Sequence, residues 1–173
     1  FPFYIVFAFI IKFTSTGPIF YIQTRLGKNN HLFRLIKFRT MFEDSEVESG
    51  PVWASEDDTR ITPIGRFLRK FRIDEIPQLI NVLKGDMSIV GPRPERPFFV
   101  EKLTARFPYY SRRLCLRPGI TGWAQVVGDY DTTLENVENK LKHDFYYIEN
   151  ISIFLDMKIM FMTLIILIKG RGR

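Results

Sequence analysis

A chain of 173 residues with 46% hydrophobic content has the size of one domain and ample material for a core. Its 25 basic and 19 acidic residues leave a charge of +6, which favours an anionic partner: phosphates, nucleic acid or an anionic lipid surface. A single cysteine, Cys115, excludes an internal disulfide framework and fits a reducing compartment, and two distant histidines, His31 and His143, leave a zinc site almost no ligands.

The opening run FPFYIVFAFIIKF is apolar from Phe1 to Phe13 except for Lys12. A spanning helix needs about 20 residues, so this one is either a re-entrant or interfacial helix or a buried core helix. Pro2 has the chemistry to break a helix that enters and leaves one leaflet. With no basic leader and no small-residue cleavage site in TSTGP, the run is not a convincing signal peptide. A start at Phe rather than Met reads as a fragment shorn of its original N-terminus. Next, IFYIQT and LFRLIKFRT read as strands joined by a turn at Gly27, Asn29 and Asn30. Alternation puts Phe33, Leu35 and Lys37 on one side and Arg34, Ile36 and Phe38 on the other, with Lys37 and Arg39 delivered close together. Basic residues on such hairpins are ordinarily solvated edge residues.

Residues 43–60 are the most acidic segment and read as a long surface loop beside the site. Thr62 then caps a helix with Pro63 at its first position, and Ile64, Phe67, Leu68 and Phe71 form its expected buried stripe. Arg66, Arg69 and Lys70 lie on other faces and lead into the stretch RIDEIPQLINVLKGDMSIVGPRP. There Asp74 is expected to cap a second helix with Glu75 in its first turn, a position that lowers carboxylate pKa. Ile76, Leu79, Ile80 and Leu83 are its expected inward face, and Gly85 its C-terminal stop. Pro97 opens another helix to about Phe107, and the Gly-, Pro- and aromatic-rich stretch from Tyr109 to Val126 reads as a structured loop. Thr132 and Glu135 have capping-box spacing before a stripe of Leu134, Val137, Leu141, Phe145 and Ile148. The last helix, interrupted by Asp156 and Lys158 and followed by KGRGR, reads as lying in a membrane interface with its basic residues at the headgroups.

Elimination narrows the chemistry. The sequence has no phosphate-cradling G-x-x-x-x-G-K-[ST] loop, no G-x-G-x-x-G, no G-x-S-x-G and no H-E-x-x-H, and Cys115 has no histidine beside it. What remains is the Asp74–Glu75 pair among Lys37, Arg39, Arg69 and Arg93. Acids before a helix are ordinarily caps. Cations of this kind suit phosphate oxygens, and a carboxylate can attack phosphorus once metal and cations neutralise the diphosphate. An oxygen-donor site with few protein carboxylates favours Mg²⁺.

KFRTM, RKFRIDEIPQLINVLKGDMSIVGPRP and RPGITGWAQV together resemble the bacterial sugar transferases, or monotopic phosphoglycosyl transferases, from about Pro2 to the last helix. SGPVWASEDDTRIT and PRPERP look most like members that initiate exopolysaccharide or capsule repeat units, which often carry a further N-terminal membrane domain. The resemblance implies transfer of sugar-1-phosphate from a UDP-sugar to polyprenol (undecaprenyl) phosphate, with release of UMP. It implies that Asp74 is the nucleophile that becomes a covalent phosphosugar and a ligand of Mg²⁺, and that Glu75 deprotonates or positions the acceptor. Arg69 is expected to hold the lipid phosphate and Lys37 and Arg93 to line the site, with Arg39, Arg96 and Arg117 further candidates. Arg72 and Ile73 depart from the family's usual small or polar residue and Leu before the acid pair.

The fold expected is mainly α with a small β-hairpin (α+β): a re-entrant N-terminal membrane helix and interfacial amphipathic helices around a small cytosolic catalytic domain. Residues 1–173 read as one domain, with 1–13 as the C-terminal half of the re-entrant helix, 14–150 the catalytic region and 151–173 the interfacial helix and basic tail. Its place is the bacterial inner membrane, monotopic, at the cytoplasmic face of one leaflet. Nucleic acid is not expected as a partner, and a homo-oligomer is left open. Two rivals stand beside this reading. One is a noncatalytic membrane-surface or nucleic-acid binder using RFLRKFR, SRR and KGRGR; the other is a lipid diphosphate phosphohydrolase that passes the same intermediate to water.

Overall fold

The computed structural model describes residues 2–43, 45, 50, 52, 58–128 and 134–170, with side chains from residue 4 and, in the last stretch, from residue 136. Most of the acidic 43–60 segment, Thr132 of the capping box and the end of the KGRGR tail lie outside these residues, as do the side chains of Leu134 and Glu135. The expected α+β class is found, mostly helical with two small sheets.

Helix α1 (Pro2–Thr14) precedes an antiparallel hairpin of β1 (Phe20–Leu26) and β2 (Leu32–Phe38). Asn29 and Asn30 turn it in left-handed conformations, φ 54° and 62°, which asparagine tolerates better than most residues. Both faces of β2 are used. Phe33 and Leu35 pack on Met87, while Phe38, on the opposite face, packs with Ile11 of α1 and Leu68. The hairpin is therefore sandwiched, and Lys37 shares the Phe33 and Leu35 side.

Helix α2 (Pro63–Lys70) starts as expected: the Thr62 hydroxyl accepts the Gly65 N–H at 3.0 Å. A Cβ on Gly65 would stand 2.1 Å from the Thr40 carbonyl oxygen, so glycine there lets the helix close on the end of β2. Of its expected stripe, Leu68 is fully buried, but Phe67 is exposed.

The second helix departs from expectation. Residues Ile73–Gln78 form a 3₁₀ turn, and only Leu79–Lys84 make an α-helix, α3, closed by Gly85 at φ 83°. Asp74 is inside the turn rather than at a cap. The capping position belongs to Arg72, left-handed at φ 51° and ψ 25°. The expected inward face is turned around as well: Leu79, Ile80 and Leu83 are exposed, and Gln78 and Asn81 are buried in their place. The free edge of β2 explains the reversal. Asn81 donates to the Arg34 carbonyl at 2.8 Å and accepts the Ile36 N–H at 3.1 Å, so its side chain continues the ladder where no strand follows.

Beyond α3, β3 (Ser88–Val90) runs parallel to β4 (Gly119–Thr121), and α4 (Pro97–Arg106) follows the PRP turn as expected. The stretch expected as a loop is more regular than its composition implies. It holds a 3₁₀ turn at Tyr110–Cys115, then β4, then the short α5 (Trp123–Val127). A Cβ on Gly119 or Gly122 would reach within 2.1–2.2 Å of the Gly91 backbone, so the glycines mark a close backbone crossing rather than irregular chain. Val137 and Leu141 of α6 (Leu134–Glu149) are buried on α4 and the 3₁₀ turn.

In helix α7 (Ile153–Ile168) Asp156 accepts the Tyr147 hydroxyl at 2.8 Å, and Lys158, itself exposed, lies 5.1 Å from the Trp123 ring centre. Phe154, Met157, Phe161, Leu164 and Ile168 point outward. Ile5, Val6, Phe9 and Phe13 do the same on α1. No helix among the described residues is long and apolar enough to cross a membrane.

Candidate active site

The two acids reach the site because Arg72 reverses the chain after α2, and the Glu75 N–H closes that reversal on the Arg72 carbonyl at 3.2 Å. A left-handed residue other than glycine costs about 1 kcal/mol, which the packed turn absorbs. Pro77 and Gln78, both buried, fix the turn against β2. Asp74 and Glu75 are buried too, 6% and 8% exposed, at the Lys37 end of that strand.

The neighbouring carboxylates are in opposite electrostatic states. Glu75 accepts the Arg93 guanidinium at 2.5 Å. Burial presses Glu75 upward, but Arg93 and Arg72 outweigh it and hold the group below the usual carboxylate range. Asp74 makes no hydrogen bond or ion pair with the described residues. Burial first and the Glu75 charge second push it up to about 6, against the opposing pull of Lys37, Arg69 and Arg93. The low carboxylate pKa expected from a helix N-terminus is thus not found for Asp74, because a desolvated 3₁₀ turn replaces the cap.

Three predicted cations converge on the pair. Lys37 leans on the Tyr21 ring at 5.2 Å, and burial, partly offset by Asp74, lowers its ammonium to about 8. Arg69 donates to the Thr40 hydroxyl at 2.8 Å and acts electrostatically on Asp74 and Lys37. Arg93 is raised by its contact with Glu75. Arg39, predicted beside them, is elsewhere. Its guanidinium donates to the carbonyl and hydroxyl oxygens of Ser15, both at 2.9 Å, and is 5% exposed at the end of α1. Residue 39 follows the last paired residue of β2, so strand alternation no longer governs where it points. Arg96 rests on the Phe99 ring at 5.7 Å, and Arg117 is exposed.

A second layer of charge behind the PRP turn was not legible in the sequence. Glu95 is bracketed by Arg25 at 3.4 Å and Lys140 at 3.3 Å, which together with Arg113 overcome its burial and bring it to about 2. Arg25 also donates to the Pro94 carbonyl at 3.1 Å. Arg113 pairs with Asp144 at 2.6 Å, both side chains 2% exposed, and donates to the Arg93 carbonyl at 3.0 Å. The SRR segment therefore does not offer both arginines to an external phosphate, since Arg113 is enclosed. The only foretaste was Glu95 in PRPERP; Arg25 and Asp144 lie too far off in sequence to be linked to it.

The carboxylates that could hold a divalent cation are Asp74, which has no hydrogen bond or ion pair with the described residues, and the adjacent Glu75, which is engaged by Arg93. No cluster of three or more His, Cys, Asp or Glu occurs among the described residues. That suits Mg²⁺, which takes one or two carboxylates and completes its shell from phosphates and water.

The family model described as bacterial sugar transferase matches residues 1–170. A UDP-N-acetylgalactosamine-undecaprenyl-phosphate N-acetylgalactosaminephosphotransferase of Aeromonas hydrophila is 46% identical over 99% of the chain and 40% of its own length. A UDP-glucose:undecaprenyl-phosphate glucose-1-phosphate transferase of Escherichia coli is 40% identical over 90% of the chain and 34% of its own length. An exopolysaccharide production protein, PSS, of Rhizobium leguminosarum is 40% identical, covering 99% of the chain and 88% of the relative. The chain thus spans about two-fifths of the Aeromonas protein but most of the Rhizobium one.

Proposed function

This chain belongs to the bacterial sugar transferase family, and from that premise we propose that it moves a sugar-1-phosphate from a UDP-sugar to undecaprenyl phosphate by way of a covalent Asp74 intermediate. The observation that carries the reading is the contrast between the acids: Asp74 is unengaged and faces three cations, while Glu75 is spoken for by Arg93. A pKa of about 6 leaves Asp74 mostly ionised at pH 7 yet desolvated, the condition of a usable carboxylate nucleophile.

In the first half-reaction a carboxylate oxygen of Asp74 attacks the sugar-bearing phosphorus. The bond from that phosphorus to the bridging oxygen breaks, and UMP departs with the oxygen and its electron pair. Lys37, Arg69 and Arg93 supply positive charge for the oxygens that gain charge. Mg²⁺, held by Asp74 and the diphosphate, would neutralise the donor against an anionic nucleophile. In the second half-reaction an oxygen of undecaprenyl phosphate attacks the same phosphorus and releases the Asp74 carboxylate. Arg69, fixed on Thr40, would hold the acceptor phosphate. Glu75, held below the usual carboxylate range, is a weak base, which supports a positioning role over proton removal.

The acceptor is confined to a bilayer. The outward apolar faces of α1 and α7 support seating on one leaflet, with α1 as the returning half of a re-entrant helix and the acids at headgroup depth. Product analysis tests the whole reading. UMP release from a panel of UDP-sugars should require Mg²⁺ and, beyond one equivalent per chain, undecaprenyl phosphate, and one sugar should dominate; continued release with water alone would make the protein a hydrolase.

A further inference from the structure

Arg113 and Asp144 form a buried ion pair well behind the reacting groups. Both side chains are 2% exposed, on the 3₁₀ turn Tyr110–Cys115 and on α6. Packing alone gives no reason for such a pair, since taking two ions out of water costs several kcal/mol per ion, and an apolar pair of similar volume often does as well. The arginine has further bonds, however. One guanidinium nitrogen donates to the Arg93 carbonyl at 3.0 Å, and the other terminal nitrogen donates to the Tyr110 hydroxyl at 2.8 Å. Arg25 grips the next carbonyl, Pro94, at 3.1 Å. Two consecutive carbonyls of the turn are thus held by cations, and the Arg93 side chain leaves that turn to meet Glu75 at 2.5 Å. The backbone here has few bonds of its own: Pro92 and Pro94 flank Arg93 and have no N–H to donate.

We propose that Arg113 is a positioning residue: anchored by Asp144, it fixes the carbonyl of Arg93 so that the Arg93 guanidinium stays on Glu75. The path runs from Asp144 through Arg113 to the Arg93 backbone and out along its side chain to the acid pair. Arg113 touches no reacting atom. Its importance for turnover rests on the proposed transferase reading, but its hold on Glu75 does not. Once that carbonyl can move, the Arg93 guanidinium is free to leave Glu75.

The test uses the full chain, labelled with ¹⁵N at arginine guanidinium groups and held in detergent micelles, with Arg93 assigned from the spectrum of Arg93→Lys. Held on Glu75, the Arg93 guanidinium should rotate slowly and show separate signals for its two terminal nitrogens. Arg113→Lys keeps the charge beside Asp144 but has one nitrogen where the guanidinium used two. Asp144→Asn keeps the shape but releases the anchor. Each should speed that rotation about tenfold and merge the two Arg93 signals, as Glu75→Gln should. Arg112→Lys, at the exposed neighbour paired with Glu149 at 3.7 Å, should leave them separate. With UDP-sugar and acceptor, Arg113→Lys should lower kcat about tenfold with KM for the donor within about twofold. Unchanged Arg93 signals in folded Arg113→Lys and Asp144→Asn overturn the role. So does the collapse of both variants, which would assign the pair to the scaffold alone. If the unsubstituted chain transfers no sugar phosphate, the transferase reading fails while the guanidinium spectrum still decides this one.

Discussion

Asp74 and Glu75 are adjacent in sequence and almost equally buried, but the protein treats them in opposite ways. The Glu75 side is saturated: Arg93 binds the acid, Arg113 and Arg25 bind the turn that carries Arg93, and Asp144 and Glu95 bind those arginines. The Asp74 side is left open, with positive charge near it but no hydrogen bond or ion pair to any described residue. The difference separates support from reactivity. A carboxylate with all its partners is a poor nucleophile, and one without them is costly to keep ionised, so the rigid half holds the costly half in place.

The largest effect should come from removing the open group. Asp74→Asn is expected to lower transfer by about 10⁴-fold or more while raising the melting temperature at pH 8. The sign follows from Asp74 holding its proton more tightly in the folded chain. Whatever it contributes to stability is present at low pH and lost as pH rises from 3.8 through about 6. Linkage sets a ceiling of ~3 kcal/mol on the gain from the neutral amide at high pH. Thermal melts at pH 4 and pH 8 would break the comparison if Asp74→Asn were destabilised equally at both.

The saturated half should answer in the reverse sense. Arg93→Gln leaves Glu75 without its main partner, and because that arginine is 40% exposed the loss is screened to about 1–2 kcal/mol at pH 7. Glu75 is held low, so its contribution is present above 4.5 and lost as pH falls through its folded value; the deficit should therefore shrink in acid. Glu75→Gln should keep the fold and slow turnover about 10–100-fold, read by steady-state assay.

A smaller effect sharpens the picture of the open half. The rate of intermediate formation should fall on the acid side near pH 6 as Asp74 takes a proton, and on the alkaline side near pH 8 as Lys37 loses one. Lys37→Arg should move the alkaline limb upward and leave the acid limb in place. The smallest change is expected at Arg39, which closes α1 on Ser15 away from the acids. Arg39→Lys should cost about 1 kcal/mol of stability in a denaturant melt and leave intermediate formation within about threefold.

The open half was the more legible in the sequence. Asp74 follows Arg69 by five residues, and strand parity puts Lys37 on the Phe33 and Leu35 side. The hairpin, the Thr62 cap and the Gly85 stop were legible because each is local backbone chemistry. Helix α3 misled because its apolar spacing was genuine but its buried face was taken by Asn81, whose bonds to β2 depend on tertiary contact. The partners of Asp156 and Lys158 on α7 were not legible for a similar reason: Tyr147 and Trp123 belong to other helices. The support network has no sequence signature, since Arg25, Glu95, Arg113 and Asp144 are brought together by four separate elements.

The most direct test is the intact mass of the chain after incubation with UDP-sugar and Mg²⁺ and no acceptor, followed by peptide mapping. A gain of one sugar phosphate on the peptide containing Asp74, discharged by added undecaprenyl phosphate and absent in Asp74→Asn, is the predicted result. An unmodified chain that nonetheless transfers sugar phosphate at full rate, or an adduct on any other residue, would contradict it.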